Sequence, residues 1–171
     1  MTYTSHYDSA IGRITLASNG EALTGLWFDG QKHFASTISG DHETNEDLPI
    51  FQETRNWLDI YFSGQAPHFT PPICINGSEF RKQVWKILLS IPFGQTMSYG
   101  AIAQLMACQK GTNKMSARAI GGAVGHNPIS LIIPCHRVVG ANGQLTGYAG
   151  GKYKKLWLLQ NEHVPTVNFH L

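Results

Sequence analysis

"LIIPCHRVVG", Leu131 to Gly140, is the stretch on which the reading of this chain turns. An apolar run ends at Pro134. A thiol, an imidazole and a guanidinium then occupy three consecutive positions, and two valines follow. The residues "SLIIPC" read as a buried strand. Proline has no amide to donate, so a ladder stops there, and Cys135 would stand at the mouth of a buried element. That location suits a nucleophile, with a dry wall behind it and access in front. The thiolate is the reactive form and nearby cations favour it; His136 and Arg137 are the nearest in sequence. Successive side chains on an extended chain point oppositely, so His136 would reach Cys135 through a turn or a water. A base of this kind is commonly oriented by a third group. Glu162 is the candidate. It falls at the C-terminal end of the last expected helix, where the macrodipole favours cations, so it needs a partner. Arg137 reads as a structural ion-pair or hydrogen-bond donor.

From these residues alone, three other readings compete. Cys135 could be an inert core thiol. It could be the nucleophile of a cysteine hydrolase, forming an acyl thioester with help from a histidine and an acid. A zinc site is disfavoured, because the chain has no Cys-x-x-Cys and no compact histidine pair.

Charge separates these readings. The whole chain carries only +2 over 171 residues. Residues 1–75 hold three basic against nine acidic side chains, a net of −6, whereas residues 76–171 hold ten against two, a net of +8. Such a split points to a polyanion on the C-terminal half, which a hydrolase leaves unexplained; the alternative is solvated charge with no partner. The hydrophobic fraction of 42% can supply a core. No apolar run approaches the roughly 18 residues of a membrane span, and "MTYTSHYDSA" lacks the pattern of a signal peptide. A cytoplasmic protein with no membrane partner is expected. Cys74, Cys108 and Cys135 are then expected as free thiols.

Outward from the opening stretch, the C-terminal half reads as mostly helical. Ser78 can cap a helix bearing Phe80, Val84, Leu88 and Ile91, stopped by Pro92, and Ser98 can cap "YGAIAQLMA". A polar connection, "CQKGTNK", leads to "MSARAIGGAVG", whose Gly121, Gly122 and Gly125 would let its backbone approach another surface closely. Two short helices in sequence, the second bearing Arg118, suggest a helix-turn-helix. "ANGQ" reads as a turn, and "GGKYKKLWLLQNEH" as a final helix with Tyr153, Leu156 and Gln160 on one face. In the N-terminal half, "YTSHYDS", "GRITLAS" and "LTGLWFD" read as strands. Asn19-Gly20 signals a hairpin with positive φ at both residues. Residues 36–47 read as a loop. "LPIFQETRNWLDIYFSG" puts Ile50, Thr54, Trp57, Leu58 and Tyr61 at helical spacing, with Gly64 as the stop. "PHFTPPICING" is the linker candidate.

The residues "IPCHRVVG", with "GYAGG" after them, "SARAIGGAVGHNP" before them and "LLQNEH" near the end, closely resemble the O6-alkylguanine-DNA alkyltransferases, the methylated-DNA–protein-cysteine methyltransferases. The resemblance is strong over about residues 79–164 and looser before them, where "SAIGRITLAS" and "LWFDGQ" look like the family's first hairpin. It implies an α/β (α+β) fold, with a ribonuclease-H-like domain over 1–75. A winged-helix-like, mostly helical domain with a helix-turn-helix would follow over 76–171, for DNA binding and alkyl transfer.

The resemblance also implies a reaction: irreversible transfer of the alkyl group from O6-methylguanine in DNA to the protein's own cysteine, once, after the base has been flipped out. Cys135 matches the acceptor, His136 the base that acts through a water, and Glu162 the acid that holds it. Tyr99 matches the tyrosine that helps rotate the nucleotide and donates a hydrogen bond to the base. Arg118 matches the finger that fills the gap in the duplex. Ala119 and Gly122 lie on the same DNA-binding helix, and Asn127 matches the asparagine linking it to the active-site segment. Val138, Tyr148, Ala149, Gly150 and Gly151 match the pocket wall, and Lys155 the lysine beneath it. The expected partner is double-stranded DNA bound through its minor groove, by a monomer, with no cofactor. Some relatives bind zinc in the N-terminal domain; this chain has no cysteine before Cys74, so no metal is expected. The connection "ACQKGTNKMS" is longer than the family's; either its Lys110 and Lys114 add phosphate contacts or the segment is a loose loop. Alkyltransferase-like proteins that only bind the lesion carry tryptophan in place of the cysteine, and Cys135 stands against that alternative.

Overall fold

The computed structural model describes residues 1–171, which divide into two compact units. The first comprises residues 1–76 and 128–132, and the second residues 77–127 and 133–171.

The first unit is built on a four-stranded sheet. β1 (Thr2–Ser9), β2 (Gly12–Ser18), β3 (Leu23–Phe28) and β4 (His42–Thr44) lie in the order β3-β2-β1-β4. β1 pairs antiparallel with β2 and parallel with β4, and β2 pairs antiparallel with β3. α1 (Pro49–Phe62) packs on β1 and β2. The helical spacing holds as expected: Ile50, Thr54, Trp57, Leu58 and Tyr61 are all buried. Pro49 occupies the first turn, where a missing amide costs nothing. Ile14, Leu16, Leu26, Phe28 and Phe51 fill the core around them. β3 gains two single parallel bridges, Leu23 with Ile73 and Leu26 with Ile129. The expected linker is therefore hydrogen-bonded to β3, through Leu23 N to Pro72 O at 2.8 Å and Cys74 N to Leu23 O at 2.7 Å.

Two expectations for this unit are corrected. Residues 36–47 are not wholly loop, because β4 pairs along β1. At Asn19-Gly20, only Gly20 has a positive φ. Asn19 instead accepts the amides of Glu21 and Ala22 on its side-chain oxygen, an alternative way to turn the chain. The turn with positive φ at both residues occurs at Asn142-Gly143.

The second unit holds three consecutive helices packed on one another: α2 (Glu79–Leu89), α3 (Tyr99–Lys110) and α4 (Ala117–Gly125). Ser78 and Ser98 cap α2 and α3, accepting the amides of Arg81 at 3.2 Å and Ala101 at 3.0 Å. Trp85 of α2 donates its indole N–H to Ala123 O in α4 at 2.8 Å, fixing that pair of helices. α3 runs through Lys110, so the polar connection to α4 is shorter than the sequence suggested and occupies residues 111–116. β5 (Met97–Ser98) and β6 (Val138–Val139) form a short parallel pair, which sets Tyr99 next to the chain that follows the Cys135 segment. The last helix, α5 (Lys152–Asn161), buries Lys155, Leu158 and Leu159. Of the face expected from Tyr153, Leu156 and Gln160, Tyr153 and Gln160 are exposed, and Leu156 is half-buried against the cluster of Val139, Leu145, Leu159 and Val164. The inward face of α5 carries one polar group, Lys155, beside Leu158 and Leu159. No helix is long and apolar enough to cross a membrane.

Candidate active site

Cys135 does not end a strand. Leu131 adopts a left-handed φ of 70°, and Cys135–Arg137 form one turn of 3-10 helix after Pro134. Such a turn has three residues per revolution, so Cys135, His136 and Arg137 leave the backbone in three directions, about 120° apart. All three side chains are buried, Cys135 at 3% exposure and His136 at 0%.

His136 and Arg137 are tied to one carboxylate. His136 Nε2 bonds Glu162 Oε2, and Arg137 Nε donates to Oε1 at 2.8 Å. The backbone amide of Gly94 donates to the same Oε1 at 3.0 Å, and Arg137 Nη1 donates to Ile91 O at 2.6 Å. Glu162 caps the C-terminus of α5, so its place at the unfavourable end of a helix is explained by two side-chain donors and a backbone donor. Burial alone would raise its pKa. The His136 and Arg137 contacts outweigh burial and hold the carboxyl at about 2, so it is ionised. His136 is shifted the other way. Burial lowers its pKa against the opposing pull of Glu162, which keeps the imidazole neutral. A neutral ring facing a carboxylate carries its proton on Nε2, which makes Nδ1 the nitrogen able to accept one.

The thiol has its own surroundings. Burial raises its pKa; the Asn127 side chain, the Lys155 charge and the amides of Cys135 and His136 oppose that rise. Asn127 is oriented by donating its side-chain N–H to Ile133 O at 2.7 Å. Lys155 is fully buried, and burial pushes its pKa down to about 8 despite the pull of Cys135. Its ammonium donates to Thr146 O at 3.1 Å, and Tyr99 Oη donates to the same carbonyl at 2.9 Å. Burial, and then the neighbouring thiol, raise the Tyr99 pKa to about 12, so this phenol remains a proton donor. Tyr148 is buried next to this group, its ring 6.5 Å from that of His136.

The structure thus brings together Cys135, His136, Glu162, Asn127, Tyr99, Tyr148 and Lys155. Val138 directly follows the 3-10 turn, and Ala149 and Gly150 follow Tyr148. Arg118 and Ala119 are exposed on the first turn of α4, and Gly122 is exposed one turn on. Lys110 and Lys114 are exposed, and Lys110 stands at the far end of α3 from Tyr99. Tyr99 opens α3 and Lys110 closes it, about 16 Å along the axis, and Lys110 packs over the Phe80 ring. Sequence reasoning missed Gly94, Ile91 and Thr146. All three act through backbone atoms, which leave no signature in residue type. No three His, Cys, Asp or Glu side chains converge as a metal site.

Two family descriptions match the chain: the 6-O-methylguanine DNA methyltransferase DNA binding domain over residues 79–164, and the ribonuclease-like domain of the same methyltransferases over residues 2–75. The chain belongs to the 6-O-methylguanine DNA methyltransferase family. It is 43% identical over 160 residues to a methylated-DNA–protein-cysteine methyltransferase of Mycobacterium bovis, covering 92% of each chain. It is 35% identical to one of Haemophilus influenzae, covering 97% of this chain and 89% of that one. The fold is similar to that of Mycobacterium tuberculosis OGT in its crystal structure with DNA, with a TM-score of 0.82, 40% identity and 95% of each chain covered.

Proposed function

We propose that this chain is a methylated-DNA–protein-cysteine methyltransferase that repairs O6-alkylguanine in double-stranded DNA by moving the alkyl group to its own Cys135. The observation that carries this reading is the buried thiol flanked by Lys155 and Asn127, beside an imidazole tied to an ionised Glu162. The Cys135 sulfur attacks the alkyl carbon, and the S–C bond forms as the C–O6 bond breaks. The thiol proton passes to His136 at Nδ1, directly or through a water. The departing guanine gains negative charge, which the Tyr99 hydroxyl offsets by turning its proton from Thr146 O to the base. Return of the proton to the guanine leaves a neutral base and a neutral thioether. Nothing in this set of groups can hydrolyse a thioether, so each molecule reacts once.

A base inside a duplex is out of reach of a buried thiol, so the reaction requires flipping. The outward surface of α4 supports an approach through the minor groove. A Cβ added at Gly121, Gly122 or Gly125 would meet nothing within 4 Å, so these glycines are not required by internal packing. A thin helix of this kind can enter a groove, with Ala119 and Gly122 against the backbone and Arg118 filling the vacated stack. Asn127 holds the thiol segment relative to α4. Val138, Tyr148, Ala149 and Gly150 line the alkyl pocket, and Lys110 and Lys114 contact phosphates. The protein acts as a monomer, without cofactor, in the cytoplasm. Incubation with a duplex labelled on the O6-methyl group tests the reading: label should move to the protein, and binding without transfer would make it a lesion-recognition module instead.

A further inference from the structure

Beyond α5 the chain turns back, and its last residues lie along the loop that follows β6. Leu145 N donates to His170 O at 2.8 Å, and His170 N donates to Gly143 O at 2.9 Å, so one tail residue is bonded on both sides of Gln144. The fit is close: a Cβ on Gly143 would lie 2.4 Å from Asn168 O, and Gly143 has a φ of 79°. Phe169 and Val164 join Val139, Leu145, Leu156 and Leu159 in a small apolar cluster under the same loop. The residue after Leu145 is Thr146, whose carbonyl accepts from both Tyr99 Oη and Lys155 Nζ.

We infer that the C-terminal segment Thr166–Leu171 is a positioning strap: it fixes Gly143–Leu145, and through them the Thr146 carbonyl that aims Tyr99 and Lys155 at the reacting groups. A tail that merely covered apolar surface would need Phe169 but no backbone pairing. Here the pairing sets the register of the loop immediately before the carbonyl that both side chains share. A shift of about 1 Å in such a carbonyl would carry both donors with it, and displacements of that size can cost about a hundredfold in rate. The strap rests on the alkyl-transfer reading only for what Tyr99 and Lys155 do; the pairing itself is independent of it.

The test compares the full chain, a chain ending at Pro165, and the full-length variants Phe169→Ala and Phe169→Leu. Three quantities are measured: amide hydrogen exchange at Gly147–Gly151, affinity for undamaged duplex, and the rate of methyl transfer from an O6-methylguanine duplex. Truncation should speed exchange at Gly147–Gly151 by about tenfold or more while α2 and α4 stay protected. It should slow transfer by about tenfold to a hundredfold, with duplex affinity within about twofold, since the segment holds no lysine or arginine. Phe169→Ala should follow the truncation in smaller measure, and Phe169→Leu should restore the rate. Unchanged exchange at Gly147–Gly151 would overturn the strap, as would an unchanged rate in a chain whose full-length form transfers methyl. A full-length chain that transfers nothing would refute the alkyl-transfer reading, and the exchange comparison would still decide the strap.

Discussion

Arg137 and Glu162 form a buried ion pair, Nε to Oε1 at 2.8 Å, on the same carboxylate that holds His136. Removing one member of such a set leaves the others uncompensated in a low-dielectric interior. The pair makes Glu162 a structural residue as well as an orienting one, so the two roles need separate readouts.

Glu162→Gln should cost about 3–5 kcal/mol, the usual penalty for breaking a buried pair, in urea unfolding near neutrality. The acid limb gives an independent check. The folded pKa of about 2 lies below the ordinary 4.5. Stability from this group is therefore fully present above about 4.5 and lost as pH falls towards 2. The shift corresponds to about 3 kcal/mol. The variant should lack that component of the acid limb. Identical acid unfolding in the two proteins would remove Glu162 from this role.

Lys155 titrates within an accessible range. Its folded pKa of about 8 is below the ordinary 10.5, so between these values the unfolded chain binds more protons and stability should rise with pH. Lys155→Met should abolish that rise. The same substitution removes a charge that favours the Cys135 thiolate and should slow transfer near neutrality by about tenfold, the effect of one pKa unit on the thiol. Stopped-flow rates across pH 6 to 10, with unfolding curves at each pH, check both; a rate unaffected by the variant would mean Lys155 serves packing alone.

The sequence made part of this site legible because some side chains were out of place. A cation-flanked cysteine after an apolar run and an acid at the wrong end of a helix both signalled a purpose, and the structure joins His136 to that acid. The serine caps at Ser78 and Ser98 were readable because they depend on a single side-chain oxygen. The strand expected at Ser130–Cys135 was not formed: apolar content marks burial, and burial is equally available to a turn with Leu131 in the left-handed region. On α5, Leu158 and Leu159 are buried as apolar residues usually are, but the burial of Lys155 beside them depends on polar partners that residue type does not show. Thr146 and Gly94 contribute only backbone atoms, so no pattern of residue types could have marked them.

Arg118→Ala should slow repair of duplex DNA by about tenfold or more relative to its effect on free O6-benzylguanine, because the free base needs no extrusion and no stack to refill. Arg118 is exposed at the start of α4, so folding should be unaffected. Equal losses on both substrates would assign Arg118 to the pocket or the fold.

Lys110→Ala with Lys114→Ala tests whether the far end of α3 reaches the phosphates. Two lost contacts should reduce the slope of log affinity against log salt by up to about 1.8 for duplex DNA. A salt titration by fluorescence anisotropy measures it, and an unchanged slope would place both lysines in solvent.

The most direct test of the central claim is intact-mass and peptide analysis after mixing the protein with limiting and then excess O6-methylguanine duplex. One lesion should be repaired per protein molecule, one methyl should appear on the peptide containing Cys135, and excess lesion should remain untouched. Cys135→Ser should bind the duplex and gain no methyl, since a hydroxyl gives up its proton to an imidazole far less readily than a thiol does and is the weaker nucleophile. Replacing Cys74 and Cys108 by serine should leave transfer intact. Repair of several lesions per protein, or a methyl found on Cys74 or Cys108, would contradict the account.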